Sequence, residues 1–193
     1  MRKIAIFASG SGTNAENIIK YFSNRQSAKV ELVLSNKREA FVLKRATVLG
    51  VKAVSFERRD FYDSDKVFNL LRSERIDFIA LAGFLWLIPD NIINFFKGRI
   101  VNIHPALLPA YGGKNMYGER VHRAVIENRE KESGITIHYV NQAYDEGEII
   151  FRAKCSVEPS DTPDTLAGRI HALEYEHYPR VIEEIISTLP PID

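Results

Sequence analysis

Short apolar runs of strand length recur between amphipathic segments through the first hundred residues, and this alternation limits what the chain can fold into. Ile4–Ala8, Val30–Leu34, Val51–Val54, Phe78–Ala82 and Ile100–Ile103 are rich in Ile, Val and Phe and read as buried strands. Between them lie helix candidates at Ala15–Phe22, Arg38–Leu49, Phe61–Ser73 and Pro89–Phe96, with Gly50 where a helix would end and Pro89 suited to a first helical turn. A β-α-β-α order closes as a parallel sheet with right-handed crossovers. The expected fold is α/β, doubly wound and mostly parallel, with a Rossmann-like N-terminal half. After Pro109 the pattern changes. A glycine-bearing loop (Tyr111–Gly118) leads to a short helix near Val121–Asn128, then to two strands, Gly134–Val140 and Ile149–Val157, that suit a late antiparallel pair. The first of these alternates as a half-exposed strand would. A closing helix starts at Asp161-Thr162-Pro163-Asp164, where capping residues precede a proline, and runs to about Ile186.

The 193 residues suit one domain, and a 45% hydrophobic content is ample for a core. With 26 basic and 25 acidic residues, net charge +1, there is no electrostatic reason to expect nucleic acid or an anionic membrane as a partner. The longest apolar stretch, Ile79–Ile88, is interrupted by Gly83 and ends at Pro89, short of a membrane span. The N-terminus enters its first strand directly, without the apolar length of a signal peptide. Cys155 stands alone, which leaves no intramolecular disulfide or cysteine metal site. A cytoplasmic protein is expected.

Three stretches carry candidate chemistry. Asn102 and His104, two residues apart at the end of a strand, emerge on the same face just before Pro105. A donor amide beside a titratable imidazole suits stabilising an oxyanion and moving a proton, although a strand end whose Asn and His satisfy loop backbone groups reads the same way. Ser9-Gly10-Ser11-Gly12-Thr13-Asn14 joins the first strand to the first helix. Its glycines would let a ligand approach the backbone, and the helix N-terminus would meet a phosphate; a tight capped turn fits equally well. With Ala15 three residues beyond Gly12 and no acid ending the second strand, the dinucleotide fingerprint is missing, so a monophosphate fits better than NAD or ATP. Tyr144-Asp145-Glu146-Gly147 has the composition of a solvated hairpin turn, yet it leaves a strand expected beside the fifth, so Asp145 is within reach of His104. A carboxylate there would orient the imidazole and raise its pKa. His138 reads as a supporting or structural residue, and His122, His171 and His177 show no metal-ligand spacing.

Taken together, Ser9–Asn14, Leu81-Ala82-Gly83-Phe84, Val101–Pro105 with Leu107-Leu108-Pro109, Asp145-Glu146-Gly147 and Arg169–Glu174 resemble, in order and across the whole chain, the phosphoribosylglycinamide formyltransferases, folate-dependent enzymes of purine synthesis. The resemblance implies the formyltransferase fold, with residues 1–105 as a phosphate-binding half and 106–193 as a folate-binding and closing half. It implies Asn102, His104 and Asp145 as the catalytic trio. Gly12, Thr13 and Asn14 with His171, Ala172, Leu173 and Glu174 would bind the ribonucleotide. Arg59, Leu85, Trp86, Leu87, Ile88, Asn102 and Asn141, Gln142, Ala143, Tyr144 and Asp145 would bind the folate. The cosubstrate would be 10-formyltetrahydrofolate, with no metal, and the assembly a monomer or weak homodimer. The implied reaction is attack of the glycinamide amine on the formyl carbon, with the oxyanion met by Asn102 and protonated His104, and a water carrying the proton. Juxtaposing two bound substrates is potentially worth about 7–11 kcal/mol. Three departures from the family pattern stand out: Ala106 where serine follows His-Pro, Trp86 where a smaller or basic residue is frequent, and a longer Gly112–Gly118 loop with Lys114 and Asn115.

Related activities fit less well. A methionyl-tRNA formyltransferase would add a basic RNA-binding domain, and a formyltetrahydrofolate hydrolase would add an N-terminal regulatory domain. A sugar-nucleotide formyltransferase stays open as an alternative but gives the Ser9–Asn14 phosphate loop no obvious use, and a non-enzymatic phosphoribosyl-binding module would leave His104 and Asp145 apart.

Overall fold

The computed structural model describes residues 1–192; Asp193, the last residue of the anticipated closing half, lies outside the described residues. Five strands run parallel: β1 (Arg2–Phe7), β2 (Ala28–Ser35), β3 (Lys52–Ser55), β4 (Phe78–Leu81) and β5 (Ile100–His104). Then β6 (Glu132–Tyr139) pairs antiparallel with β5, and β7 (Ile149–Ser156) antiparallel with β6. The sheet order is β3-β2-β1-β4-β5-β6-β7. The helices are α1 (Thr13–Phe22), α2 (Phe41–Val48), α3 (Arg58–Tyr62), α4 (Lys66–Ser73), α5 (Asp90–Phe95), α6 (Glu119–Glu127) and α7 (Pro163–Thr188).

The period of two along the strands sorts side chains between two cores. Ile4, Ile6 and Ala8 join Val101 and Ile103 under the side chains of α1, α2, α6 and α7. Ala5, Phe7 and Ile100 point the other way, among Phe61, Val67, Leu71, Ile92 and Phe96 of α3, α4 and α5 or their flanks. Helices thus cover both faces of the parallel part, as a doubly wound sheet requires. No helix among the described residues is long and apolar enough to cross a membrane.

Several elements differ from their sequence outlines. The segment Phe61–Ser73 is two helices: α3 begins with a reciprocal Glu57–Asp60 capping box, and the chain breaks after Asp63 before α4 starts. Arg38–Ala40 lie outside α2, which begins only at Phe41. Pro89 caps α5 in extended conformation and does not occupy its first turn. β3 is an edge strand whose residues are intermediate or exposed, so the expectation that it is buried is corrected. The half-exposed reading of β6 is corrected as well: Ser133–His138 are all buried, because β7 brings β6 inside the sheet while α6 and α7 pack nearby.

Strand order reverses direction between β1 and β4, and such a switch point opens a crevice at the carboxyl ends of the strands. Three chain segments leave the sheet there: Ala8–Gly12 after β1, Ala82–Trp86 after β4 and Pro105 after β5. Tyr178 of α7 locks this region from beneath. Its fully buried hydroxyl donates to the carbonyls of Leu81 (2.8 Å) and Val101 (3.2 Å), tying α7 to β4 and β5.

Candidate active site

β5 places Asn102 and His104 on one face, and the antiparallel register sets Asn102 opposite His138. Residues in such a pair approach closely, and Asn102 Nδ2 lies 3.1 Å from His138 Nε2. His138 Nδ1 donates to the Tyr139 carbonyl at 2.8 Å, which leaves Nε2 as the acceptor for Asn102. The second Asn102 amide proton goes to Asp145 Oδ1, 3.3 Å away. Asp145 is held in left-handed conformation (φ 58°) in the loop between β6 and β7. That loop comes down tightly at Gly147, where a Cβ would stand 1.6 Å from the Tyr139 carbonyl oxygen.

His104 is 3% exposed. Its Nε2 donates to the Tyr111 carbonyl at 2.7 Å, and its Nδ1 faces Asp145 Oδ2 at 3.5 Å. The expectation of a raised His104 pKa is corrected. Burial pushes the imidazole below its ordinary value, outweighing the opposite pull of the Asp145 charge and the Tyr111 carbonyl. Burial alone would raise Asp145, yet the charge of His104 and the Gly113 N–H (2.9 Å) hold it below the usual carboxylate range. Thr136, on β6 opposite His104, fixes the intervening loop: its buried hydroxyl donates to the Ala106 carbonyl (2.7 Å) and accepts from the Leu108 N–H (3.0 Å).

The loop after β1 meets the same cavity. Carbonyls of Gly10 and Ser11 are engaged by the Val42 N–H and by Arg45 Nε, while the first-turn N–H groups of α1 have no intrahelical acceptor. Gly12, at φ 78°, is the N-cap residue, and a Cβ there would lie 2.3 Å from Val42 Cγ2. Close packing of α1 against α2 therefore demands this glycine, a constraint separate from ligand approach; Gly10 has nothing within 4 Å of an added Cβ. Asn14 Nδ2 donates to Glu174 Oε2 (2.8 Å), and burial pushes the Glu174 carboxyl up to about 7.

A cavity of about 460 Å³ joins these parts. Gly12, Thr13, Asn14, His171 and Glu174 line one region; Asn102, His104, Tyr144 and Asp145 another; Leu85 and Trp86 a third. Trp86 belongs to an aromatic cluster with Phe56, Phe61, Tyr62 and Phe84, and Phe84 also reaches the cavity. Other anticipated residues stand back from the lining. Arg59 lies on the short α3, largely exposed and 3.2 Å from Glu57. Ile88 is buried in the core, and the Leu87 carbonyl accepts from Tyr62. Asn141 spends its side chain on the Ala143 N–H, and Gln142 and Ala172 are exposed. Leu173 packs at the edge of the core. The cavity also takes in His122, Met116 and Tyr117, which sequence reasoning did not place there. Only the unusual length of the Gly112–Gly118 loop hinted at the last two.

A sequence model of the formyl transferase family matches residues 2–182. The chain is 35% identical over 191 residues to the phosphoribosylglycinamide formyltransferase of Bacillus subtilis, covering 96% of this chain and 95% of that protein. It is 38% identical over 190 residues to the chloroplastic phosphoribosylglycinamide formyltransferase of Arabidopsis thaliana; the match covers 95% of this chain and 65% of that longer protein. The crystal structure of phosphoribosylglycinamide formyltransferase from Bacillus halodurans superposes with a TM-score of 0.86 at 36% identity, covering 97% of this chain and 96% of that one.

Proposed function

The chain belongs to the formyl transferase family, and we propose that it transfers the formyl group of 10-formyltetrahydrofolate to the amine of N1-(5-phospho-D-ribosyl)glycinamide, a step of purine synthesis, in the cytoplasm. The observation that carries this reading is a single cavity with Asn102, His104 and Asp145 in its wall and the open N-terminus of α1 at another part of its lining. A phosphate suits the helix N-terminus, and the Phe84–Trp86 aromatic surface suits a pterin or benzoyl ring. Residues 1–105 would then serve the ribonucleotide phosphate, and the remainder the folate and closure of the site.

The side chains divide the chemistry as follows. Attack of a neutral amine on the formyl carbon develops negative charge on the formyl oxygen, and preorganised donors lower that barrier. His104 meets this charge when protonated. Its Nε2 proton is committed to Tyr111, but the 3.5 Å gap between Nδ1 and Asp145 is too long for a settled hydrogen bond, which leaves the Nδ1 proton available to a substrate oxygen. Both Asn102 protons are engaged, so Asn102 contributes by giving up its longer contact, the 3.3 Å one to Asp145. Asp145 stabilises imidazolium against the burial that disfavours it. A water carries the proton from the amine toward the leaving nitrogen. The chemistry supplied by the chain is thus positioning and electrostatics.

The test is a formyl-transfer assay with both substrates, following formation of the deformylated folate. Turnover by the wild type, with a loss of at least about a hundredfold in His104→Ala at unchanged folding, is the expected result. No transfer by the wild type, or near-normal turnover by the variant, would overturn the proposal.

A further inference from the structure

The cavity poses a charge problem. Its proposed ribonucleotide substrate carries a phosphate monoester of about −1.5 to −2 at neutral pH, whereas a helix N-terminus offers only about half a positive charge. Among the described residues lining the cavity there is no arginine and one lysine, Lys114. The neutral-pH balance of the remaining lining does not help. His122 is held to about 4, chiefly by burial and then by the nearby His171, and burial lowers His171 too. Asp145 is ionised, and Glu174 is poised near 7. Without Lys114 the lining would be negative or neutral when it receives an anion.

Lys114 is exposed and forms no ion pair or hydrogen bond among the described residues, while most other cations near the sheet are already partnered. The loop that carries it is built to reach across. It leaves the catalytic region at Gly113, whose N–H is bonded to Asp145, and ends at Gly118, where α6 begins. α6 packs on α7, and His122 of α6 and His171 of α7 line the same cavity as Gly12–Asn14 and Glu174, so the loop ends where α6 joins that wall. His122 is itself 2% exposed, lines the cavity and has an Nδ1 without a partner, a buried polar atom that a ligand at this place would satisfy. Asn115 adopts φ 71°, and Arg120 stacks on the Tyr117 ring at 5.0 Å, which gives the loop a defined shape around the lysine.

We infer that Lys114, presented by the Gly113–Gly118 loop, is the counter-charge for the substrate phosphate, completing the cradle begun by the N-terminus of α1. This assignment rests on the formyl-transfer reading for the identity of the anion. It differs from a role at the folate, whose carboxylates would also attract a lysine, in which substrate it affects.

The experiment compares Lys114→Met, which keeps length and removes charge, with Lys114→Arg. Ribose 5-phosphate is titrated against each protein by calorimetry, and both substrate KM values are measured in the transfer assay. Lys114→Met is expected to weaken ribose 5-phosphate binding and raise KM for the ribonucleotide by about tenfold to a hundredfold, the range for losing a hydrogen bond to a charged group. KM for the formyl folate and kcat should change by less than about threefold, and Lys114→Arg should restore most of the affinity. Unchanged ribose 5-phosphate binding in Lys114→Met, or a rise confined to the folate KM, would overturn the assignment and leave the activity intact. Lysine-dependent ribose 5-phosphate binding in a protein without formyl transfer would support the assignment and overturn the activity instead.

Discussion

Replacing Gly12 by alanine separates two roles that one glycine can play, and the structure sets the size of the effect. At φ 78° an alanine pays the left-handed penalty of about 1–2 kcal/mol. Its Cβ would also meet Val42 at 2.3 Å (Cγ2), 2.4 Å (Cβ) and 2.7 Å (Cα), in a residue that is fully buried. Relieving such overlap by shifting backbone costs typically about 1–3 kcal/mol. Together these give about 2–5 kcal/mol, and for a chain of this size a drop of about 4–20 °C in Tm. Thermal unfolding followed by circular dichroism reads this directly. Val42→Ala should recover only a minor part of the loss in the double variant, because the 2.4 and 2.7 Å contacts remain. Gly10→Ala is the control, since nothing lies within 4 Å of its added Cβ. It should cost under about 0.5 kcal/mol in stability, so that any defect it shows is one of ligand approach. A Gly12→Ala protein that melts within about 2 °C of wild type would refute the claim that α1–α2 packing dictates this glycine.

Three other outcomes follow from buried polar groups. Glu174 has a folded-state pKa of about 7 against an ordinary value of 4.5, so the native state binds the extra proton. Its contribution to stability is therefore greatest below 4.5 and is lost as pH rises to about 7, by a total of about 3 kcal/mol; Glu174→Gln should flatten that part of the curve in urea titrations run across the range. Tyr178→Phe should lower stability by about 1–2 kcal/mol through loss of the hydroxyl bonds to Leu81 and Val101, measurable by the same titrations, with m unchanged. Asp145→Asn removes the charge that opposes the burial of His104, so the alkaline limb of the rate profile should move to lower pH; an unmoved limb would reduce Asp145 to a shaping role.

The parallel half of the sheet was readable because a strand buried on both faces leaves a near-continuous apolar run, unbroken in β4 and in Ile4–Phe7 of β1 and interrupted only by Asn102 between Ile100 and Ile103 of β5. The failures have the same origin. β3 follows a short stretch, Val51–Val54, that is apolar but for Lys52, yet it lies at the edge, since hydropathy reports composition and not the position of a strand in the sheet order. β6 alternates as if one face met water, but Thr136 and His138 are buried polar residues with internal partners, which a two-letter pattern counts as solvent-facing. The Glu57–Asp60 capping box marks where α3 begins and the C-cap at Asp63 where it ends, before α4 starts at Lys66; both are local signals that the helical period on either side outweighs.

At the site, what sequence could supply was side-chain identity and parity along β5. Asn102 and His104 share a face by the geometry of any strand, and the antiparallel return of β6 brings the Asp145 loop beside them. The direction of the His104 shift could not be read this way, because it is the balance of two effects of different origin. The attraction of Asp145 follows from a pairing that sequence can suggest. Burial follows from the whole fold, and it outweighs both Asp145 and the Tyr111 carbonyl that accepts from Nε2. Burial wins, and the consequence is mechanistic: an imidazole kept below its ordinary pKa gives up its proton more readily, and Asp145 opposes that loss without reversing it. A carboxylate that merely raised an already basic histidine would add little at neutral pH. One that opposes burial raises the fraction of imidazolium able to meet the oxyanion.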